Sequence, residues 1–328
     1  MPEFLEDRRS STRSRICRLR SQLTAAEDRC GVKACVYITG SVGRHEAGPQ
    51  SDLDLFIADL GNPEKCLSAQ DEILIAADLI KESRSARFPE LALGGEHRLT
   101  HTMGELVGNL GTDRDDATNT LTARCLLLLE SKLLLGGKAY SKLVDGVLGR
   151  YWRDYADHRD DFVPAFLTND ILRMWRTFCV NYEAKRQTER PEYKAKARLK
   201  HFKLGHSRLL TCYSALLFLM QIYGQKGSVS PDDARAMVGF TPTERLESVC
   251  TTSADVELRQ RIAELLAGYK SFLDTTSAPA EELLQRFGGN EAKKMAAQAH
   301  KFGEKVFACI EQLGHSSEHK ELFRFLIV

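Results

Sequence analysis

The stretch at residues 36–57, VYITGSVGRHEAGPQSDLDLFI, decides the fold expected for the first third of the chain. One hydrophobic run ends at Gly40-Ser41, and a second run carries two aspartates, Asp52 and Asp54, that alternate with leucines. The pattern predicts two apolar strands, over residues 33–39 and 53–58, joined by a glycine-rich turn.

The two aspartates predict a metal site. On a strand, side chains at positions i and i+2 point to the same face, roughly 7 Å apart, so Asp52 and Asp54 project together while leucines pack behind them. Two carboxylates in one small space repel each other, and a divalent cation that binds both removes the repulsion. Mg²⁺ prefers hard oxygen ligands and is the expected ion, with Mn²⁺ as the alternative.

The turn at Gly40-Ser41 predicts a phosphate site. It follows a strand and is expected to open a short helix, whose free backbone N–H groups and positive dipole end favour phosphate oxygens. Glycine lets a phosphate approach closely, and the Ser41 hydroxyl adds a donor. Arg44 is expected to add a charge-assisted contact.

Taken together, "GS", ten intervening residues and "D-x-D" between two apolar strands resemble the nucleotidyltransferase superfamily of DNA polymerase β. The fuller string GSVGRHEAGPQSDLDLFI is similar to the branch containing the uridylyltransferase that modifies the bacterial PII nitrogen-signalling protein. The run NTLTARCLLLLESKLLLGG at residues 119–137 also resembles that branch. The resemblance covers about the first 150 residues.

The resemblance implies a role for each matching residue. Gly40 and Ser41 would hold a nucleoside triphosphate, and Asp52 and Asp54 would bind the catalytic metal. The remaining motif residues would shape the loop that binds the nucleotide or contact the nucleotide itself: Gly43, Arg44 and Glu46.

The superfamily usually supplies a third carboxylate from a later strand, where it helps to position metal and activate the acceptor hydroxyl. Glu96, at the start of a third strand predicted over residues 96–102, is the first candidate. Asp113, Asp115 and Asp116 are alternatives that fit loop acids or a helix N-cap equally well.

After the third strand the spacing predicts only helices, at residues 116–135, 138–151, 164–186, 193–223, 243–250, 256–273 and 290–313. We therefore predict an α/β fold of the α+β type, with a small mixed-sheet nucleotidyltransferase domain at residues 1–152 and a helical domain at residues 153–328. A basic cluster lies on the helix at residues 193–223. From it, Lys200 is the candidate nucleotide contact, although a solvated helix face explains most of the cluster.

Composition narrows the class of protein. Forty-six Lys and Arg balance 45 Asp and Glu, so the net charge of +1 gives no general attraction to nucleic acid or to an acidic membrane. The nine cysteines form no Cys-x-x-Cys pair, which fits a reducing cytoplasm, and we expect neither a membrane span nor export.

The predicted function is transfer of AMP or UMP from an NTP to a hydroxyl acceptor, most simply on a protein, with release of pyrophosphate. A small-molecule acceptor or a second nucleotide is open within the same chemistry. Two rivals come from other classes. One is a non-catalytic nucleotide-binding module, and the other is a helical ribonuclease-like or partner-binding protein that uses Arg153 and His158.

Overall fold

The computed structural model describes residues 3–61, 66–86, 88–89, 100–185 and 191–327. The chain divides into two compact units, Met1–Tyr151 and Trp152–Val328. It is mostly helical, with one small mixed sheet, and therefore belongs to the α+β class. None of the helices in the described ranges combines the length and the hydrophobicity that crossing a bilayer requires.

The first unit is built on a four-stranded sheet of order β3-β2-β1-β4. Strand β1 is antiparallel to both β2 and β4, and β2 is parallel to β3. The elements in chain order are α1 (Glu3–Gln22), α2 (Thr24–Cys30), β1 (Ala34–Thr39), α3 (Gly40–Gly43), β2 (Asp54–Asp59), α4 (Ala69–Ser85), β3 (Thr100–Thr102), α5 (Met103–Gly108), α6 (Arg114–Ala117), α7 (Thr120–Glu130), β4 (Lys132–Leu135) and α8 (Gly137–Tyr151).

The two faces of the sheet follow the alternation in the sequence. Val36 and Ile38 of β1 and Leu55 and Ile57 of β2 form one face, which packs in a hydrophobic cluster with side chains of α1, α2 and α4. On the other face, the rings of Tyr37 and Phe56 stack with centroids 5.4 Å apart. Both faces of the central strands β1 and β2 are buried, as the apolar runs predict, except at Asp54, which is exposed where β2 begins.

The helix predicted over residues 116–135 is wrong at its C-terminal end. Helix α7 ends at Glu130, and residues 132–135 form β4, an edge strand beside β1. Consecutive leucines, as at residues 126–129 and 133–135, have no helical period to distinguish a buried helix from a buried strand. The Ser131 hydroxyl bonds back to the Leu127 carbonyl, and Arg20 of α1 binds the carbonyls of Leu133 and Leu134, so this strand is held from outside the sheet.

The second unit is all-helical over its described residues. Two of its helices, which begin at Pro231 and Pro242, start with a capping box and have a proline in the first turn. After a short 3₁₀ turn at Tyr155–Asp157, the elements are α9 (Ala165–Lys185), α10 (Pro191–Lys203), α11 (Leu209–Lys226), α12 (Pro231–Gly239), α13 (Pro242–Thr252), α14 (Val256–Thr275), α15 (Ala280–Gly288), α16 (Ala292–Ser316) and α17 (Glu321–Ile327). Helices α12, α15 and α17 were not among the predicted ones.

A π-helical turn at Leu204–Arg208 joins α10 to α11 within the helix predicted over residues 193–223. His206 lies in this turn and is buried against Phe202, Phe272 and Phe302, with ring centroids 4.4 to 4.8 Å from its own. Its Nδ1 lies 2.8 Å from the Phe202 carbonyl oxygen. Burial in this aromatic surrounding lowers the pKa of His206 from 6.5 to about 4.

This burial predicts a pH-dependent stability. The unfolded chain takes up a proton on His206 as the pH falls below 6.5, whereas the folded chain resists until about pH 4. Stability from this group is therefore present above pH 6.5 and is lost as the pH falls towards 4, with a slope of at most about 1.4 kcal/mol per pH unit. We expect His206→Leu to flatten the urea-measured stability profile between pH 6.5 and 4.5. His300→Asn, which alters an exposed side chain, serves as the control. An unchanged slope in His206→Leu would contradict the assignment.

Candidate functional site

The glycine-rich turn and the second acid meet at one end of the sheet. Strand β1 runs directly into α3, and the strand register pairs Thr39 with Asp54. Gly40 has φ +66°, and a Cβ at this position would overlap the Asp54 carboxylate. Only glycine both adopts this backbone conformation without strain and leaves Asp54 its place. The turn and Asp54 are therefore in direct contact.

Asp52 and Asp54 lie on the exposed side of the chain at the start of β2. Both are exposed, whereas Leu53 and Leu55 are buried in the core, so the predicted alternation is present. Asp52 precedes the strand, which begins at Asp54. Two carboxylates fit a Mg²⁺ or Mn²⁺ ion that takes its remaining oxygens from substrate phosphate and water. No group of three His, Cys, Asp or Glu side chains placed to hold a metal occurs within the part of the chain that the structure describes.

A buried ion network lies beneath the turn. The Glu130 carboxylate at the end of α7 accepts hydrogen bonds from the Gly40 backbone N–H (3.0 Å) and from Nη1 of Arg44 (2.7 Å). Nε of Arg44 donates to Glu46 at 2.9 Å. The three side chains are almost completely buried. This places Arg44 among the residues that shape the loop, since its guanidinium is already bound by two carboxylates.

The network also changes what the turn offers to a phosphate. Because the Gly40 N–H donates inward to Glu130, that amide is not directed at a ligand, and the Asp54 carboxylate occupies the space that a side chain at Gly40 would need. Ser41 is partly exposed. Gly43 packs on the backbone carbonyl groups of Ile38 and Glu130, where a Cβ would lie only 2.6 Å from the Ile38 oxygen. Gly43 thus lets the turn pack against this backbone and does not face a nucleotide.

Helix α1 holds the loop that follows the turn. The Thr12 hydroxyl accepts a hydrogen bond from the Ala47 N–H (3.1 Å), and Arg8 and Arg15 donate to the carbonyls of Glu46 and Gly48. The sequence predicts an amphipathic helix over about residues 3–30. It does not show which polar residues of that helix contact the loop.

The candidates for the third carboxylate have different outcomes. Glu96 lies outside the described residues, and its assignment stays a prediction. Asp115 is buried in a two-bond ion pair with Arg124, with N–O distances of 2.8 and 3.0 Å, which commits it to the core. Asp113 and Asp116 are exposed at the start of α6.

The helical unit contains the remaining sequence candidates. Lys200 is exposed on α10. Arg153 lies over the ring of Phe166, and the His158 ring lies 3.4 Å from the Asp161 carboxylate. No contact joins Arg153 to His158 in the described residues, so their geometry gives no support to a ribonuclease-like pair.

We expect Gly40→Ala to lower activity more than it lowers stability. The alanine methyl group would displace the Asp54 side chain, while the left-handed backbone adds roughly 1–2 kcal/mol of strain. Gly111→Ala is a matched control, because Gly111 also has a positive φ (+77°) but open space around its Cβ position. Thermal unfolding would show comparable losses in both variants, and only Gly40→Ala would lose the nucleotidyl transfer that the sequence predicts. Equal activity in the two variants would show that the contact with Asp54 is unimportant.

Comparison of the chain with protein-family models gave no match. Comparisons with curated proteins and with solved structures likewise gave none.

Proposed function

We propose that this chain is a metal-dependent nucleotidyltransferase. The observation that carries the proposal is the contact between Gly40 and Asp54, which brings the glycine-serine turn and the Asp-x-Asp pair to one end of the sheet. A partly exposed serine on this turn, beside two exposed carboxylates, is an arrangement suited to a triphosphate and a divalent cation. The resemblance of residues 40–57 to the polymerase β superfamily supports the same reaction.

Asp52 and Asp54 would hold Mg²⁺ or Mn²⁺, which when bound neutralises phosphate charge and lowers the pKa of an acceptor hydroxyl. The chain's own residues bind and orient the triphosphate: Gly40 keeps the Asp54 carboxylate beside the turn, and the Ser41 hydroxyl donates a hydrogen bond to the triphosphate. The acceptor hydroxyl gives up its proton to solvent, and its oxygen forms a bond to the α-phosphorus. The bond from the α-phosphorus to the oxygen that bridges to the β-phosphate breaks, and pyrophosphate leaves with that electron pair. No covalent enzyme intermediate is needed, because positioning and charge neutralisation suffice.

The nucleotide transferred is AMP or UMP, and the acceptor is a hydroxyl on a protein. This assignment rests on the similarity of residues 40–57 to the PII-modifying branch. A small molecule and a second nucleotide are the other acceptors compatible with the same chemistry. Glu96 and Lys200 are carried forward as a candidate third carboxylate and a candidate nucleotide contact.

Incubation with each NTP, radiolabelled at the α-phosphorus, tests the proposal. The purified protein is supplied with Mg²⁺ or Mn²⁺, with and without cell lysate, beside an Asp52→Ala/Asp54→Ala variant. Label on a protein, absent with the variant, is the expected result. Label on a small molecule or an oligonucleotide would change the acceptor. Binding of NTP without any transfer would replace the enzyme by a nucleotide-binding module.

A further inference from the structure

The helical unit contains a basic cavity of about 440 Å³. Its walls come from α9, α10, α15 and α16, so it lies wholly within Trp152–Val328 and shares no residue with the turn and aspartates of the first unit. A volume of a few hundred Å³ is that of a small-molecule site. The cavity is therefore large enough for a ligand of nucleotide size.

Three permanent cations line this cavity. Lys194 and Arg198 are four residues apart on α10 and share one helix face, and Lys293 of α16 contributes from another wall. Arg198 is fixed by a hydrogen bond from Nη1 to the Phe287 carbonyl (3.1 Å). Neither Lys194 nor Lys293 has an ion-pair partner among the described residues. No carboxylate of the described residues lines the cavity. The cluster has the charge to bind an anion.

The start of α16 adds to this positive field. Lys293 and Lys294 occupy the first turn of a 25-residue helix that has no acidic residue there, and the N-cap Glu291 makes no capping hydrogen bond through its side chain. Cations at a helix N-terminus oppose the helix dipole, which is unfavourable. An anion bound beside Lys293 would offset that unfavourable interaction.

Aromatic side chains lie next to the cations. Phe202 and Phe287 are buried beneath the cavity, and Tyr182 is partly exposed in its wall, with its ring centroid 5.1 Å from that of His201. Aromatic faces beside basic groups suit a ligand that combines a planar ring with phosphates.

We infer that this cavity is a second ligand site, which binds a nucleotide. Its phosphates contact Lys194, Arg198 and Lys293, and its base lies against Tyr182 and His201. This inference does not depend on the proposed transfer reaction, because none of these residues belongs to the site built on Gly40 and Asp54.

Equilibrium dialysis with labelled ATP tests the inference. The full chain carries Asp52→Asn and Asp54→Asn and is kept in EDTA at physiological salt, so that metal-dependent binding in the first unit is suppressed. Saturable binding of ATP is expected, with tripolyphosphate and adenosine each competing more weakly than unlabelled ATP. Failure of ATP to bind, or competition by tripolyphosphate as strong as by ATP, would overturn a nucleotide site.

Single substitutions locate the binding. Lys293→Ala and Lys194→Ala should each weaken ATP binding about tenfold, since each removes a charge-assisted contact. Lys294→Ala and Lys196→Ala are matched controls on the same two helices, and neither residue lines the cavity. Tyr182→Leu should weaken ATP while leaving tripolyphosphate unchanged. Equal losses in the lining and control variants would show diffuse attraction to surface lysines instead of this site.

Discussion

We expect Asp54→Asn to lower nucleotidyl transfer by roughly 10³-fold or more while the chain stays folded. The substitution keeps the size of the side chain and removes the charge that would hold the cation, which is responsible for several kcal/mol of transition-state stabilisation. Asp54 is exposed at the start of β2, so the free energy of unfolding should change by no more than about 0.5 kcal/mol. Asp52→Asn should behave in the same way.

The measurement is the rate of pyrophosphate release, beside urea unfolding of each variant. Asp28→Asn is the matched control, because Asp28 is exposed on α2 in the same unit and is not among the candidates for the metal or nucleotide site. Retention of full activity by Asp54→Asn would remove the aspartate pair from the mechanism.

Glu130→Ala should produce the largest combined loss of stability and activity. Glu130 is fully buried and holds both the Gly40 amide and the Arg44 guanidinium. Removing one partner of a buried ion pair leaves the other charge uncompensated, at a cost of about 3–5 kcal/mol. The turn would lose its support as well, so transfer should fall at least tenfold in the fraction that remains folded. Glu130→Gln, which keeps one oxygen acceptor, should fall between the variant and the wild type.

The buried ion pair of Asp115 with Arg124 provides a control that distinguishes a loss of positioning in the turn from a loss of stability. Asp115→Asn disrupts the ion pair with Arg124, which lies in the same unit but does not touch the turn. Urea unfolding should show that Asp115→Asn and Glu130→Ala are both destabilised. NTP titrations at a temperature where all variants are folded should show a raised KM and a lowered kcat only for the Glu130 variants. If Asp115→Asn lost as much activity, the role of Glu130 would be structural alone.

The strands and the turn were predictable because their signal is local. The hydrophobic run that ends at Gly40 predicts β1, and the apolar alternation around Asp52 and Asp54 predicts β2. The leucine-rich stretch at residues 126–135 lacks such a period: its first part belongs to α7, and only pairing with β1 makes residues 132–135 a strand. Pairing between distant segments is decided by tertiary contacts, which outweigh local preference.

The side chains that support the turn could not be predicted from a local sequence pattern. Glu130 lies 90 residues from Gly40 along the chain, and its one signal in the sequence is that it is the only acidic residue within CLLLLESKLLL. The contacts of α1 with the loop at residues 46–48 are similarly remote. The basic helix was recognised from its composition, but Lys194 and Arg198, and not Lys200, line the cavity, because helix phase decides which lysines share a face.

The π-helical turn at Leu204–Arg208 protects that phase. A π turn accommodates one residue more than an α-helical turn, and each residue of an α-helix rotates its successors by about 100°. Deleting one residue here, such as Gly205, would convert the π turn to a regular α-helical turn and leave α10 and α11 in the phase that they have now. A deletion within the regular winding of α10 would instead rotate the basic stripe by about 100° and move it out of the cavity, although no side chain of the stripe had changed. The chain can thus change its length by one residue in this short segment without moving the stripe.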